Sequence, residues 1–217
     1  MKNHNSIVEI TCKYIRSKIA NGEIRLNEKV SMRKIAEDLE ISRTPIREAI
    51  RKLESEGLIE LLPRRGFIVK KYNPKQVEEI YVARQILEVS AVRLACDRIK
   101  KKDLERLKKI NDNLSKVLIE GKKDILKIKK LNEDFHFTLY KNSGNDVICE
   151  IIQNLWNRIS GLFIQLFKNP KQGKTTFQEH NEIIQALENQ DVNKSTEMID
   201  NHLSANKKQL MSFIKQE

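Results

Sequence analysis

From Asn73 onward the apolar residues recur at every third or fourth position and nowhere alternate. Val77, Ile80, Tyr81, Leu87, Ala91, Leu94 and Ala95 set the pattern, and later segments repeat it. That period belongs to an α-helix with one buried face; a half-buried strand has period two. Breakers are scarce, since the 217 residues hold 7 Gly and 4 Pro, too few for the turns of a many-stranded β fold. The segments break at Gly121, at Ser143-Gly144, at Asn169-Pro170 to Gly173 and at Gln190-Asp191. Helices are therefore predicted near 75–99, 101–119, 123–142, 146–168, 175–189 and 192–214. They compose an all-helical bundle of about six helices.

Residues 1–72 have a different texture. Ile7, Ile10, Cys12, Tyr14, Ile15 and Ile19 mark a first helix that Asn21-Gly22 ends. Ser31 is a good N-cap for a second helix through Ile35, Ala36 and Leu39. A third follows Ser42, with Pro45 in its first turn, where a missing N–H costs little. It carries Ile46, Ala49, Ile50 and Leu53 on one side and stops at Gly57. Two short apolar runs, Leu58–Leu62 and Phe67–Val69, flank Pro63-Arg64-Arg65-Gly66 and predict a β-hairpin with a basic tip. Helix, helix-turn-helix and hairpin in that order make a winged helix-turn-helix. The expected fold is mainly α, with a winged domain at 1–72 and a helical domain at 73–217.

Charge is unevenly spread along this layout. The chain carries a formal net charge of +11, and residues 1–72 hold 16 Lys/Arg against 10 Asp/Glu. The other 145 residues hold 25 against 20, so the basic excess is about twice as dense in the first region. A polyanionic partner suits that balance. No run of 18 apolar residues offers a membrane span, and Met1-Lys2-Asn3-His4-Asn5 opens no apolar signal core. Cys12, Cys96 and Cys149 are widely spaced among apolar neighbours and read as buried thiols in a reducing compartment. A cytoplasmic protein is expected.

Arg43, Arg47 and Arg51 stand four residues apart on the third helix. At about 100° per residue they form a stripe centred roughly 110° from the apolar stripe. A solvated helix face can look the same. Here the turn, the hydroxyls of Ser42 and Thr44, Pro45 and the basic wing accompany the stripe. Hydroxyls and N–H groups at a helix start grip phosphate, and arginines reach guanine edges in a major groove. Arg33 would lie beside the backbone or groove edge, and Arg64 and Arg65 suit a wing in the adjoining minor groove.

Three of the four histidines, His136, His180 and His202, fall in the second region. His180 precedes the turn near Gln190 by ten residues and His202 follows it by twelve. At 1.5 Å per residue these lie roughly 15 and 18 Å from the turn, nearly level across a helical hairpin. Asn132 precedes His136 by four and shares its helix face. The four could surround one divalent ion (zinc, nickel or manganese) with imidazole nitrogens and an amide oxygen. Ordinary hydrogen-bonded histidines are the alternative.

Ser42-Arg43-Thr44-Pro45-Ile46-Arg47-Glu48-Ala49-Ile50, then Leu53-Glu54-Ser55-Glu56-Gly57-Leu58-Ile59 and Pro63-Arg64-Arg65-Gly66-Phe67-Ile68-Val69, resembles the DNA-binding domain of GntR-family regulators. The resemblance implies that Arg33, Arg43, Thr44 and Arg47 contact operator DNA and that Gly66 lets the wing approach it. The family's usual Pro-Gly ahead of the second helix is Asn27-Glu28 here. Asn132-Glu133-Asp134-Phe135-His136, then Glu179-His180 with Ile183, Ile184 and Ala186-Leu187, then Met198 and His202-Leu203, look like the FCD effector domain. That resemblance implies a divalent metal held by three histidines and a carboxylate, whose place Asn132 takes. Asp134 lies about 200° around the helix from His136 and ranks well below Asn132. Open metal positions would take water or the carboxylate of a small organic acid. Arg84 and Glu88 match the family's Arg-x-x-x-Glu pattern; Arg84 is either an anion clamp or half of a surface i,i+4 ion pair. Arg158 is a weaker effector-binding candidate, and Trp156 reads as core.

The resulting expectation is a ligand-responsive transcription regulator, a repressor in preference to an activator. It would bind a palindromic double-stranded operator as a homodimer, since each winged helix covers one half-site. Two alternatives stand beside it: a regulator for which the metal is the signal, and a helical metalloenzyme. Against the enzyme, no Asp or Glu is identifiable as a dedicated general base.

Overall fold

The computed structural model describes residues 4–20, 23–25, 27–63, 65–119, 124–167 and 170–216. The expected breaks at Asn21-Gly22, Gly121 and Asn169, and the wing-tip Arg64, lie outside the described residues. The chain divides into two compact units: Met1–Tyr72 with Asn157–Gly161, and Asn73–Trp156 with Leu162–Glu217.

In the first unit, α1 (His4–Ala20) packs on α3 (Arg43–Ser55), burying Cys12, Ile15 and Ile19 with Ile46, Ala49, Ile50 and Leu53. Between them runs α2 (Met32–Leu39), whose N-cap Ser31 accepts the N–H of Arg33. The α2–α3 turn closes on Glu40, which takes a left-handed φ of 52°. The hairpin forms from β2 (Ile59–Leu62) and β3 (Gly66–Val69), with Leu62 opposite Gly66.

A third strand escaped the sequence reading. Lys29–Val30 forms β1, which pairs antiparallel with β3 in the order β1-β3-β2. Two residues are too few to show period-two alternation. The turn before β1 closes without the family's glycine. Asn27 adopts φ 59° and donates its N–H to the Val69 carbonyl at 3.0 Å, while Glu28 donates to the Arg25 carbonyl. Asparagine tolerates that left-handed region better than most residues. Gly66, at φ 99°, has the Val30 carbonyl oxygen 2.0 Å from where a Cβ would stand. The close pass of β1 therefore demands glycine at this position.

Among the described residues, seven helices follow residue 72, in keeping with the expected bundle of about six. They are α4 (Pro74–Cys96), α5 (Lys101–Ile119), α6 (Ile125–Lys141), α7 (Asp146–Arg158), α8 (Ser160–Leu166), α9 (Pro170–Glu188) and α10 (Val192–Gln216). The single helix expected at 146–168 is interrupted at Ile159, next to Ser160-Gly161, a pair of weak helix formers. Helix α9 starts at Pro170, not near 175. Proline is favourable at a first helical position, and Gly173 is accepted inside the helix because a Cβ there would meet Leu118 Cδ2 at 2.3 Å. Asn73 caps α4 by accepting the Lys75 N–H. The bundle packs α4 on α10, α5 on α6 and α9, and α9 on α10. Of the three free cysteines, Cys12 and Cys96 are buried as expected, whereas Cys149 is half-buried. Among the described residues no helix is long and apolar enough to cross a membrane.

Candidate nucleic-acid interface and metal centre

On the first unit, α3 buries one side and leaves Ser42, Arg43, Thr44, Arg47 and Arg51 exposed. Ser42 is the N-cap, yet its side chain makes no capping hydrogen bond. A groove between the N-terminal ends of α2 and α3 and the wing is lined by Arg33, Arg43, Arg47, Arg51 and Arg65. Thr44 and Gly66 line it as well, and among the described residues no acidic side chain does. Arg33 bonds Glu37 at 2.7 Å across one helical turn, both side chains being well exposed. Such an exposed pair is worth little and releases its arginine readily. The groove thus offers five cationic forks beside a helix start, the surface that grips phosphates and reads guanine edges.

In the second unit, α6, α9 and α10 bring His136, His180 and His202 together, all buried, with one ligand nitrogen from each within 4.8 Å of the others. Every Nδ1 faces outward to a partner that fixes the ring. His136 Nδ1 lies 3.0 Å from the Tyr140 hydroxyl, which itself donates to Glu88 Oε2 and so accepts from the imidazole. His180 Nδ1 donates to Asn111 Oδ1 at 3.1 Å, while the Asn111 amide nitrogen donates to the Phe177 carbonyl and Asn181 Oδ1. His202 Nδ1 donates to Glu179 Oε2 at 2.7 Å. Phe135 stacks on His180 at 3.7 Å between centroids and holds its plane.

With each Nδ1 donating outward, Nε2 of each ring is the nitrogen left facing inward as an acceptor. Nε2 of His136 and of His202 stand 3.1 Å apart, and Nε2 of His180 has no partner. Burial, the His202 and His180 rings and the Arg84 guanidinium hold His136 well below the ordinary histidine pKa. Burial and His202 do the same to His180. Asn132, 2 % exposed, leaves Oδ1 without a partner. Three convergent lone pairs and an orphaned amide oxygen, backed by outward Nδ1–H bonds, fit a divalent cation. Asn206 donates its Nδ2–H to His202 Nε2 at 3.0 Å, a bond that an ion on that lone pair would replace.

Asp134 does not join this group; it pairs with Lys130 at 2.8 Å on the exposed side of α6. Arg84 and Glu88 are fully buried, which removes the surface ion pair as an option. Arg84 Nε donates to Glu88 Oε1 at 2.6 Å, and its guanidinium lies 4.6 Å from the ring centres of both Tyr81 and Trp156. Trp156 is core, as expected, and donates Nε1–H to Glu88 Oε1 at 2.9 Å. Arg158 is exposed at the end of α7, in the stretch that groups with the first unit, and is not brought to the histidines. The sequence reading missed Tyr140, Asn111, Glu179 and Asn206. Tyr140 and Asn206, each four residues after a histidine, carried a local signal; Asn111 meets His180 from 69 residues away and carried none.

Residues 9–69 match the gntR family of bacterial regulatory proteins, and residues 79–205 match the FCD domain. The chain belongs to the GntR family, in the form that carries an FCD domain. This GntR protein is 27 % identical over 179 residues to the transcriptional regulator McbR of Escherichia coli K12, covering 82 % of this chain and 80 % of McbR. It is 25 % identical over 194 residues to the regulator LutR of Bacillus subtilis, covering 78 % and 85 %. The solved structure of E. coli McbR/YncC shares the fold with a TM-score of 0.72 at 24 % identity, over 97 % of this chain and 98 % of that one. A GntR-type regulator from Rhodococcus sp. RHA1 gives 0.73 at 20 % identity, over 94 % and 97 %. The protein is a DNA-binding transcription regulator, and these relatives are regulators, not enzymes.

Proposed function

We propose that this GntR regulator is a repressor whose FCD domain, residues 73–217, binds a divalent metal and a small carboxylate to control operator binding by residues 1–72. The observation that carries the metal reading is the outward locking of all three Nδ1 groups, which leaves three buried Nε2 lone pairs facing one another. His136, His180, His202 and Asn132 would hold the ion. A bound dication would supply an electrophilic anchor for a carboxylate oxygen. Arg84, with Nη1 unpartnered and Glu88 fixing its plane, is the clamp for that anion.

The working form is a cytoplasmic homodimer on a palindromic operator. Val82 and Ile86 on α4 and Val147 and Ile151 on α7 are exposed i,i+4 apolar pairs, on helices joined through Trp156 and Glu88. Exposed apolar pairs of this kind suit a second copy of the chain.

The test is a titration of operator binding against zinc, nickel and manganese, each with and without small organic acids, with oligomeric state followed by sedimentation. Release of a dimer from DNA only when metal and acid are both present supports the reading. Release by metal alone overturns the effector role in favour of metal sensing. Indifference of DNA binding to both overturns the regulatory role of the site.

A further inference from the structure

The basic excess of residues 73–217 is confined to one stretch. Residues 100–130 hold 12 Lys/Arg against 5 Asp/Glu, and the other 114 hold 13 against 15. Most of that stretch is α5, which packs on α6 and α9 and buries Leu107, Leu114 and Val117. Lys102, Arg106, Lys109 and Lys116 are all exposed on it. At about 100° per residue they fall within roughly 80° of the helix circumference, centred roughly 110° from the buried residues. The stripe runs about 21 Å along the helix.

Little within the chain neutralises it. Glu105 and Asp112 lie to one side, and none of the four cations makes an ion pair among the described residues. Two carboxylates share a cleft with Arg106, and both are occupied. Asp134 pairs with Lys130, and Asp103 accepts the Lys100 N–H.

The chemistry of this face selects its partner. Among the described residues the exposed large apolar side chains are Ile10, Val82, Ile86, Val147 and Ile151, none of them on α5 or α6. A protein partner would want such an anchor at the centre of its interface. Helix α5 carries no aromatic residue, so it has no platform for the bases of a single strand. Three of the four cations are lysines, point charges that suit phosphate and lack the fork that reads guanine. A duplex presents one phosphate charge per about 1.7 Å of its axis, so the stripe would face about twelve.

We propose that the outer face of α5 is a second DNA contact, which grips duplex phosphates without reading sequence. Such a contact adds affinity through counterion release and leaves the choice of site to the arginine groove.

The test uses the full chain and a random-sequence duplex, followed by anisotropy at several salt concentrations. Arg43→Ala with Arg47→Ala and Arg65→Ala removes the groove's contribution and sets the baseline. On that background Lys102→Gln, Arg106→Gln, Lys109→Gln and Lys116→Gln together should weaken binding about tenfold or more and lower the salt slope by about three. The same change at the exposed Lys174, Lys194, Lys208 and Lys215 should do much less. Lys102→Arg with Lys109→Arg and Lys116→Arg should keep the binding, because only charge is used. An equal loss in the Lys174 set overturns the site, since net charge alone would then account for the binding. A baseline variant that binds no duplex overturns it, as does a stripe variant with unchanged affinity and slope. A stripe that binds poly-glutamate and ignores the duplex overturns the DNA assignment in favour of an acidic protein.

Discussion

Nε2 of His136 stands 3.1 Å from Nε2 of His202, and Nδ1 of each ring is bonded to an outer partner. Tyr140 spends its one hydroxyl proton on Glu88 and so takes the Nδ1–H of His136, while the Glu179 carboxylate takes the Nδ1–H of His202. Two lone pairs at hydrogen-bond distance repel unless a cation lies between or beside them. The outer partners thus turn the Nε2 atoms toward one another and build a place suited to positive charge.

Metal should stabilise the folded chain. An ion bound only by the folded form adds about 2.7 kcal/mol at a hundredfold excess over Kd. For a chain of this size that corresponds to a rise of roughly 5–10 °C in Tm. His180→Ala and His202→Ala should each remove the rise, because two imidazoles hold an ion poorly. Scanning fluorimetry of the metal-stripped chain with added zinc, nickel and manganese checks this. No rise with any of the three would leave the site a set of ordinary histidines.

Tyr140→Phe keeps the buried ring and deletes the acceptor for His136 Nδ1. The imidazole is then free to carry its proton on Nε2, the nitrogen that faces the ion. Metal affinity should fall about 10–100-fold with little change in helix content, the usual consequence of losing an outer hydrogen bond to a ligand. Dye competition and circular dichroism measure the two sides; an unchanged affinity contradicts the tautomer argument.

The metal-free chain should lose stability in mild acid. Burial and neighbouring imidazoles hold His136 and His180 well below 6.5, so both are neutral in the fold. Above 6.5 the unfolded chain is neutral there too, and the groups contribute nothing. Below 6.5 the unfolded chain takes up protons that the folded one refuses, so stability falls with pH, by up to about 1.4 kcal/mol per unit for each group. Urea midpoints between pH 7.5 and 5.5 should show that slope, and His180→Gln should make it shallower. An equal slope in the variant would show that other groups set the acid response.

The helices and the face of α3 were legible because each is written locally. Ile46, Ala49, Ile50 and Leu53 repeat at helical spacing, and Arg43, Arg47 and Arg51 occupy another side of the same cylinder. The meeting of His180 with His202 followed from counting residues to one turn, and their rings lie 5.3 Å apart. What stayed hidden depends on partners far along the chain. β1 exists because Lys29 and Val30 meet Ile68 and Phe67, and Asn111 reaches His180 from another helix. The burial of Arg84 with Glu88 was equally invisible, since an i,i+4 Arg/Glu pair looks the same on a surface.

The arginine groove yields separable effects on DNA. Arg43→Ala and Arg47→Ala should each cost about 1–3 kcal/mol on a selected operator and relax preference at the bases they face. Arg65→Ala, on the wing, should weaken all sequences alike and lower the salt slope by about one. Anisotropy titrations at several salt concentrations, with the operator and with random duplex, separate these outcomes. Full operator affinity in both α3 variants would exclude α3 as the reading helix.

Gly66→Ala tests the three-stranded sheet itself. Residue 66 sits at φ 99°, and a methyl group there would meet the Val30 carbonyl oxygen at 2.0 Å, a backbone atom that cannot turn aside. The strain therefore falls on the β1–β3 pairing, Lys29 with Ile68 and Val30 with Phe67. A loss of roughly 1–3 kcal/mol is expected for such a backbone conflict. It should appear in the unfolding of the winged unit and leave zinc binding by the FCD domain unchanged. DNA affinity should drop with it, because the groove wall that carries Arg65 and Gly66 is displaced. Hydrogen exchange read at Val30 and Phe67 locates the damage. Wild-type protection of both amides in the variant would mean that β1 does not hold the wing.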